Sequence, residues 1–154
     1  YIFRPKNDEK QKKYYSGKQK SHTLKNQIII TDNGKEIVDV IVGERGPESD
    51  IILFKKQQKK FDKEQRFQGD KGYQGGERID TPKKKKRNHK MSYKVKKENQ
   101  KKAQKRIFVE HVIRLIKIFK VARERFRLKE SNYEKVILTI CGLVRLRIGA
   151  LMLT

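Results

Sequence analysis

Cysteine occurs once in the 154 residues, as Cys141. A lone thiol excludes a disulfide framework and a zinc site built on cysteines. Cys141 stands in an apolar run and reads as a small core residue. Acidic side chains are scarce as well: 18 Asp and Glu face 41 Lys and Arg, a formal charge of +23. That imbalance implies a polyanionic partner. It is spread along the chain, so a single solvated tail does not account for it. Aromatic residues are few, at 8%, and Trp is absent. A basic, aromatic-poor chain suits a ribosomal protein as well as a nucleic-acid enzyme, so charge sets the class of partner and not the activity. A long unbroken apolar run is missing too. Residues 136–153 come nearest, but Arg145 and Arg147 interrupt them. Each would cost about 2.5–3.5 kcal/mol at a bilayer centre, so the run reads as a core helix and not a membrane span. No secretory signal is visible at the start. The first residue is Tyr1, not Met, so the sequence reads as a fragment or as a processed or truncated reading frame.

What is present suits one domain with its own core. Residues 1–21 are polar and basic and read as loop. Residues 22–30 form a strand ending in Ile28-Ile29-Ile30, and Thr31-Asp32-Asn33-Gly34 follows. Asn-Gly between two β-rich runs is a hairpin signal, with 37–42 as the return strand. Residues 43–47 are a break. A helix is expected over 48–60, with acidic and hydroxyl residues in its first turn. Short strands are expected at 65–69 and from Ile79. Residues 83–106 hold thirteen Lys and Arg and one acid, Glu98. They read as a linker that turns helical near its end, and as a candidate strip for tracking phosphates. A long helix near 100–127 and a final helix over 133–153 complete a mixed α/β layout with helices on a small sheet.

Two motifs carry the chemistry. Gly69-Asp70-Lys71-Gly72-Tyr73 puts a carboxylate in a glycine-flanked turn after a strand, a common place for catalytic groups. Asp and Gly are also ordinary turn formers, and local sequence alone favours that reading. Arg106, Glu110 and Lys117 put a second carboxylate on a helix between cations. Arg106 and Arg114 share its face, so Glu110 also fits an ordinary ion pair one turn apart, worth a few tenths of a kcal/mol. His111 points to another face and reads as structural. Asp50 reads as a helix cap. Tyr14, Tyr15 and Tyr73 could stack on bases or simply pack. Carboxylates from separate elements in a very basic chain are what a metal-dependent enzyme acting on DNA requires.

The ordered motifs carry a resemblance. Tyr14-Tyr15-Ser16-Gly17-Lys18-Gln19-Lys20-Ser21-His22-Thr23-Leu24-Lys25 resembles the YSGKKK-x-HTLK stretch of insertion-sequence transposases with a DDE catalytic domain. Residues 69–75 are similar to their DKGYQG turn, and 106–113 to their R-x-x-VEH-x-I helix, with Lys117 at the matching step. Residues 123–127 and Gly142-Leu143 resemble later elements of the family. The resemblance implies an α/β, RNase H-like mixed sheet flanked by helices, lacking its first strand here. It implies that 1–154 is a partial catalytic domain. Two Asp and one Glu would hold Mg²⁺ or Mn²⁺, and Asp70 and Glu110 would be the second and third of them. Arg106, Lys117, Lys18, Lys20 and Lys71 would contact DNA, with Arg106 and Lys117 on transposon-end phosphates. The expected activity is strand cleavage and strand transfer at transposon ends, in a prokaryotic cytoplasm on nucleoid DNA, with a possible homodimer and no membrane.

Departures from the pattern go with it. Ile2-Phe3-Arg4-Pro5 resembles the element that follows the first Asp in relatives, so that Asp is expected upstream of Tyr1. Asp8 does not replace it. Ala103 stands where relatives often have Tyr, and Arg145 where they often have Asn. A helix-turn-helix region for end recognition is not in the sequence, so binding by charge is expected. The alternative is a non-catalytic basic nucleic-acid-binding protein, ribosomal-like or a decayed or domesticated transposase.

Overall fold

The computed structural model describes residues 1–85 and 87–150, except for the side chain of Ala150. Lys86 of the basic run, and the end of the final helix expected over 133–153, lie outside the described residues. In chain order the elements are α1 (Asp8–Tyr14), β1 (Tyr15–Ser16), β2 (Ser21–His22), β3 (Leu24–Ile30), β4 (Ile37–Arg45), α2 (Asp50–Gln57), β5 (Phe67–Gln68), β6 (Ile79–Asp80), α3 (Tyr93–Ile118), α4 (Lys120–Arg123) and α5 (Tyr133–Ala150). Short 3-10 turns stand at Gln58–Lys60, Lys71–Tyr73 and Glu130–Asn132. The strands form three two-stranded pairs: β1 with β2 and β3 with β4 antiparallel, β5 with β6 parallel. The chain divides into two compact units, Tyr1–Glu48 with Glu110–Thr154, and Ser49–Val109.

The first unit is organised by the β3–β4 hairpin. Its turn follows the Asn-Gly signal. Gly34 takes φ +71°, and the Thr31 and Asn33 side chains accept the Glu36 and Lys35 amides at 3.1 and 3.0 Å. Two register shifts interrupt the pairing. Ile29 opposes Asp39 and Ile30 opposes Ile37, which leaves Val38 as the extra residue, 48% exposed. That bulge resets the alternation, so Ile37, Val40 and Val42 all reach the core. The second shift falls near Gly43, at φ +77°, whose amide donates to Asn26 Oδ1 at 3.0 Å. The sequence suggested a break at 43–47. Instead β4 absorbs Gly43 as a bulge and continues to Arg45, because glycine takes the positive φ without a Cβ penalty.

Over one face of this hairpin pack Val112 and Leu115 from the end of α3 and Ile137, Ile140, Cys141, Val144 and Ile148 from α5. Cys141 is buried and unpaired, and burial pushes its thiol pKa up, as expected of a core residue. No helix among the described residues is long and apolar enough to cross a membrane. The helix expected over 100–127 ends at Ile118 instead. Phe119 caps the short α4, and from Glu124 to Lys129 the chain is non-helical. There the Phe126 amide donates to the Tyr1 carbonyl at 2.9 Å, and its buried ring meets Tyr133 edge-on at 5.0 Å. A continuous helix could not satisfy both contacts. Residues 8–14, expected as loop, are the helix α1. It buries no residue and starts at Asn7, whose side chain accepts the Lys10 amide at 3.1 Å. Capping and the acidic first turn of Asp8 and Glu9 explain this helix where apolar periodicity gave no signal.

The second unit is built on aromatic rings and side-chain-to-backbone clamps. Phe54 of α2 meets Phe67 at 5.1 Å and Tyr73 at 6.0 Å, and Phe61 meets Phe67 at 5.3 Å, all edge-on. Arg78, at φ +59°, donates to the Gln58 carbonyl at 3.0 Å and to the Asp62 carbonyl, which satisfies the end of the α2 segment. The region expected as a linker becomes helical at Tyr93, earlier than expected, and it is tied down before that. Asn99 accepts the Lys83 amide and donates to the Lys83 carbonyl, both at 3.0 Å. Lys102 bonds Asp80 Oδ1 at 2.6 Å and the Thr81 carbonyl at 3.1 Å.

Candidate functional site

Asp70 follows β5 after Gly69 and caps the 3-10 turn Lys71–Tyr73. Its Oδ1 accepts the Gly72 amide at 2.7 Å. The bond fixes the carboxylate against its own turn and leaves it half-buried rather than enclosed. Both flanking glycines are required by close approach. A Cβ on Gly69 would lie 2.8 Å from Ile79 Cδ1 and from Tyr73 Cδ2. A Cβ on Gly72 would lie 2.9 Å from Asp70 Oδ1 and 3.0 Å from Asp50 Oδ2.

The second figure brings in a residue that sequence reading treated differently. Ser49, not Asp50, holds the cap position of α2, and Asp50 is the first helical residue. Two carboxylates, twenty positions apart in sequence, therefore face one glycine. No spacing rule signals this, because the meeting depends on how α2 packs against the turn. Tyr73 reports the same crowding. Its phenol pKa is pushed far up, first by burial and then by the negative charges of Asp50 and Asp70. Its ring packs on Phe54, so Tyr73 is a packing residue, as one of its two readings held.

Lys71, in the same turn, is exposed. Arg106 and Glu110 lie one turn apart on α3, Arg106 half-buried and Glu110 exposed, and each is engaged with a partner. Arg106 and Asp70 belong to the second unit, Glu110 and Lys117 to the first. Lys117 and His111 are exposed on α3. Lys18 and Lys20 are exposed in the loop that joins β1 to β2, with Lys20 at φ +48°. That left-handed conformation costs a non-glycine residue about 1 kcal/mol or more. The Gln19 amide sits 3.4 Å from Ser16 Oγ, a long bond that closes the loop.

Asp50 and Asp70 supply the hard oxygen donors that divalent cations prefer. No group of three or more His, Cys, Asp or Glu among the described residues could hold a metal ion. The donors fit the metal in kind and fall short in number.

The model of the DDE superfamily endonucleases matches residues 1–145. The chain belongs to that family. A probable transposase for insertion sequence element IS702, from Microchaete diplosiphon, is 37% identical over 136 residues. The aligned stretch covers 86% of this chain and 48% of that relative, so the chain spans about half the relative's length. No solved structure matches the chain.

Proposed function

We propose that this chain is part of the catalytic domain of an insertion-sequence transposase, which cuts and joins DNA at transposon ends. The observation that carries the reading is the family match across 1–145, with the Asp70 carboxylate presented by a bonded, glycine-flanked turn inside it. The proposed fold is RNase H-like, a mixed sheet flanked by helices, with its first strand and first Asp upstream of Tyr1. Asp70 and Glu110 are the second and third acidic residues of the set. Arg106 and Lys117 hold phosphates of the transposon end, as charge-assisted donors do. Lys18, Lys20 and Lys71 add backbone contacts. Mg²⁺ or Mn²⁺, when bound, supplies activation of the attacking oxygen and stabilisation of the leaving one. The protein acts on DNA in a prokaryotic cytoplasm at the nucleoid, with a homodimer in the synaptic complex.

The test uses two lengths of chain. With the upstream segment restored and Mg²⁺ or Mn²⁺ added, the protein is expected to nick duplex DNA carrying the element's ends. Asp70→Ala and Glu110→Gln are each expected to abolish nicking and leave DNA affinity unchanged. The 154-residue chain alone is expected to be inactive. Metal-dependent nicking by that short chain, lost in Asp70→Ala, would overturn the assignment of the first Asp upstream. Binding without nicking in the restored chain would favour a decayed element.

A further inference from the structure

The cations of residues 83–105 are not one undifferentiated run. Lys83 pairs with Glu98 at 3.6 Å, and its backbone is clamped by Asn99. Lys102 is consumed by Asp80 and Thr81, and Gln68 Nε2 donates to the Lys102 carbonyl at 3.1 Å. Glu98, Asn99 and Lys102 therefore form a docked edge of α3, and all three are half-buried. They set the helix's rotation about its axis. Lys94, Lys97, Lys101 and Lys105 recur at steps of three, four and four, which puts them on one stripe beside that edge. All four are exposed, and none makes an ion pair among the described residues.

We infer that these four lysines are a built binding strip for the phosphate backbone of duplex DNA, separate from Arg106 and Lys117. The inference rests on the proposed DNA-cutting role and names a surface within it. Eleven residues of helix rise about 16 Å, close to the axial length of five base pairs of one strand. Between 94 and 105 the strip carries no aromatic residue, and the exposed Tyr93 and Phe108 stand only at its two ends, so it offers no continuous stacking platform for unpaired bases. As contacts to backbone charge, the four lysines add affinity and register without sequence choice. The docked edge is what makes it a strip. Were Lys102 and Asn99 not held, the helix could roll and spread the charges.

The test is a salt titration of duplex binding by the whole chain, read by fluorescence anisotropy on a duplex of arbitrary sequence. Lys97→Gln/Lys101→Gln is expected to flatten the slope of log K against log salt by about 2, and the fourfold Lys→Gln variant by about 4. Each engaged lysine is expected to cost roughly eightfold in affinity at 0.1 M salt. A control, Lys35→Gln/Lys59→Gln, removes two exposed charges elsewhere and is expected to leave the slope near that of the unmodified chain. If the fourfold variant flattens the slope no more than the control does, the strip is overturned and the DNA reading stands. If the unmodified chain binds no duplex at low salt, the DNA reading fails and takes the strip with it. If the strip variants lose only single-stranded binding, the assignment to duplex is wrong.

Discussion

The two units solve the same problem with different materials. Of the eleven buried hydrophobic residues described, nine belong to the first unit and only Leu53 and Phe54 to the second. Each unit also buries polar side chains, Ser16 and Gln27 in the first and Gln57 in the second, but the second, with so few aliphatics, leans on the aromatic edges around Phe54 and Phe67 and on the bonds of Arg78, Asn99 and Lys102. It also carries more of the charge excess: residues 49–109 hold 21 Lys and Arg against 7 Asp and Glu. Aliphatic burial is non-directional and tolerates small shifts, whereas a hydrogen-bond clamp fails when its geometry is lost. The unit that presents Asp70 and the lysine strip is thus the one held by directional contacts.

The strongest way to test that contrast is to remove aliphatic volume from the first unit. Ile137, 2% exposed in the core against β3 and β4, changed to Ala is expected to cost about 2–5 kcal/mol. Hydrogen exchange resolves where the loss falls, and the amides of β3 and β4 are expected to lose protection most. A cost below about 1 kcal/mol would mean the aliphatic core is not what holds this unit.

The matching change in the second unit removes a clamp and almost no apolar area. Arg78→Ala deprives the Gln58 and Asp62 carbonyls of a charged donor, with an expected cost of about 1–3 kcal/mol. Exchange is expected to rise at 58–67. Should Arg78→Ala cost nothing while Phe54→Ala unfolds the unit, the aromatic cluster alone carries it and the contrast narrows.

Legibility in sequence followed the same division. Features written by local chemistry were readable: the Asn-Gly turn at 33–34, the helix α2, the apolar α5 and the turn at Asp70. The bulge at Val38 was not, because it serves the alternation of a whole strand. The end of α3 at Ile118 was not, because the apolar periodicity runs on while Phe126 is recruited by Tyr1 and Tyr133. At the candidate site the individual residues were visible and their neighbours were not. Asp50 looked like a cap and proved to face Gly72 beside Asp70. The basic run looked like a linker, and the clamps at Lys83 and Lys102 separate these two tied cations from the four of the strip.

The subtlest test compares one tyrosine from each unit. Burial raises the phenol pKa of both, from an ordinary value near 10. At Tyr133 the hydrogen bond with Asn26 opposes the rise; at Tyr73 the carboxylates of Asp50 and Asp70 add to it. Below pH 10 both tyrosines keep their protons in folded and unfolded chains alike, so the stability linked to them is complete. Above pH 10 the unfolded chain loses protons that the folded chain retains. Stability then falls with rising pH, by at most about 1.4 kcal/mol per pH unit for each tyrosine. Denaturation across that range is expected to show a shallower fall in Tyr73→Phe and in Tyr133→Phe. Salt separates the causes. At 1 M the screening length is about 3 Å, so the carboxylate contribution at Tyr73 weakens while the burial contribution at Tyr133 stays. Added salt is therefore expected to lower the Tyr73 phenol toward its ordinary value, read from the phenolate absorbance of the unmodified chain minus that of Tyr73→Phe, and to leave Tyr133, read from the same difference with Tyr133→Phe, nearly where it was. Equal salt responses would mean that Asp50 and Asp70 do not crowd Tyr73 in solution, and that the turn at Gly72 is more open than its packing here.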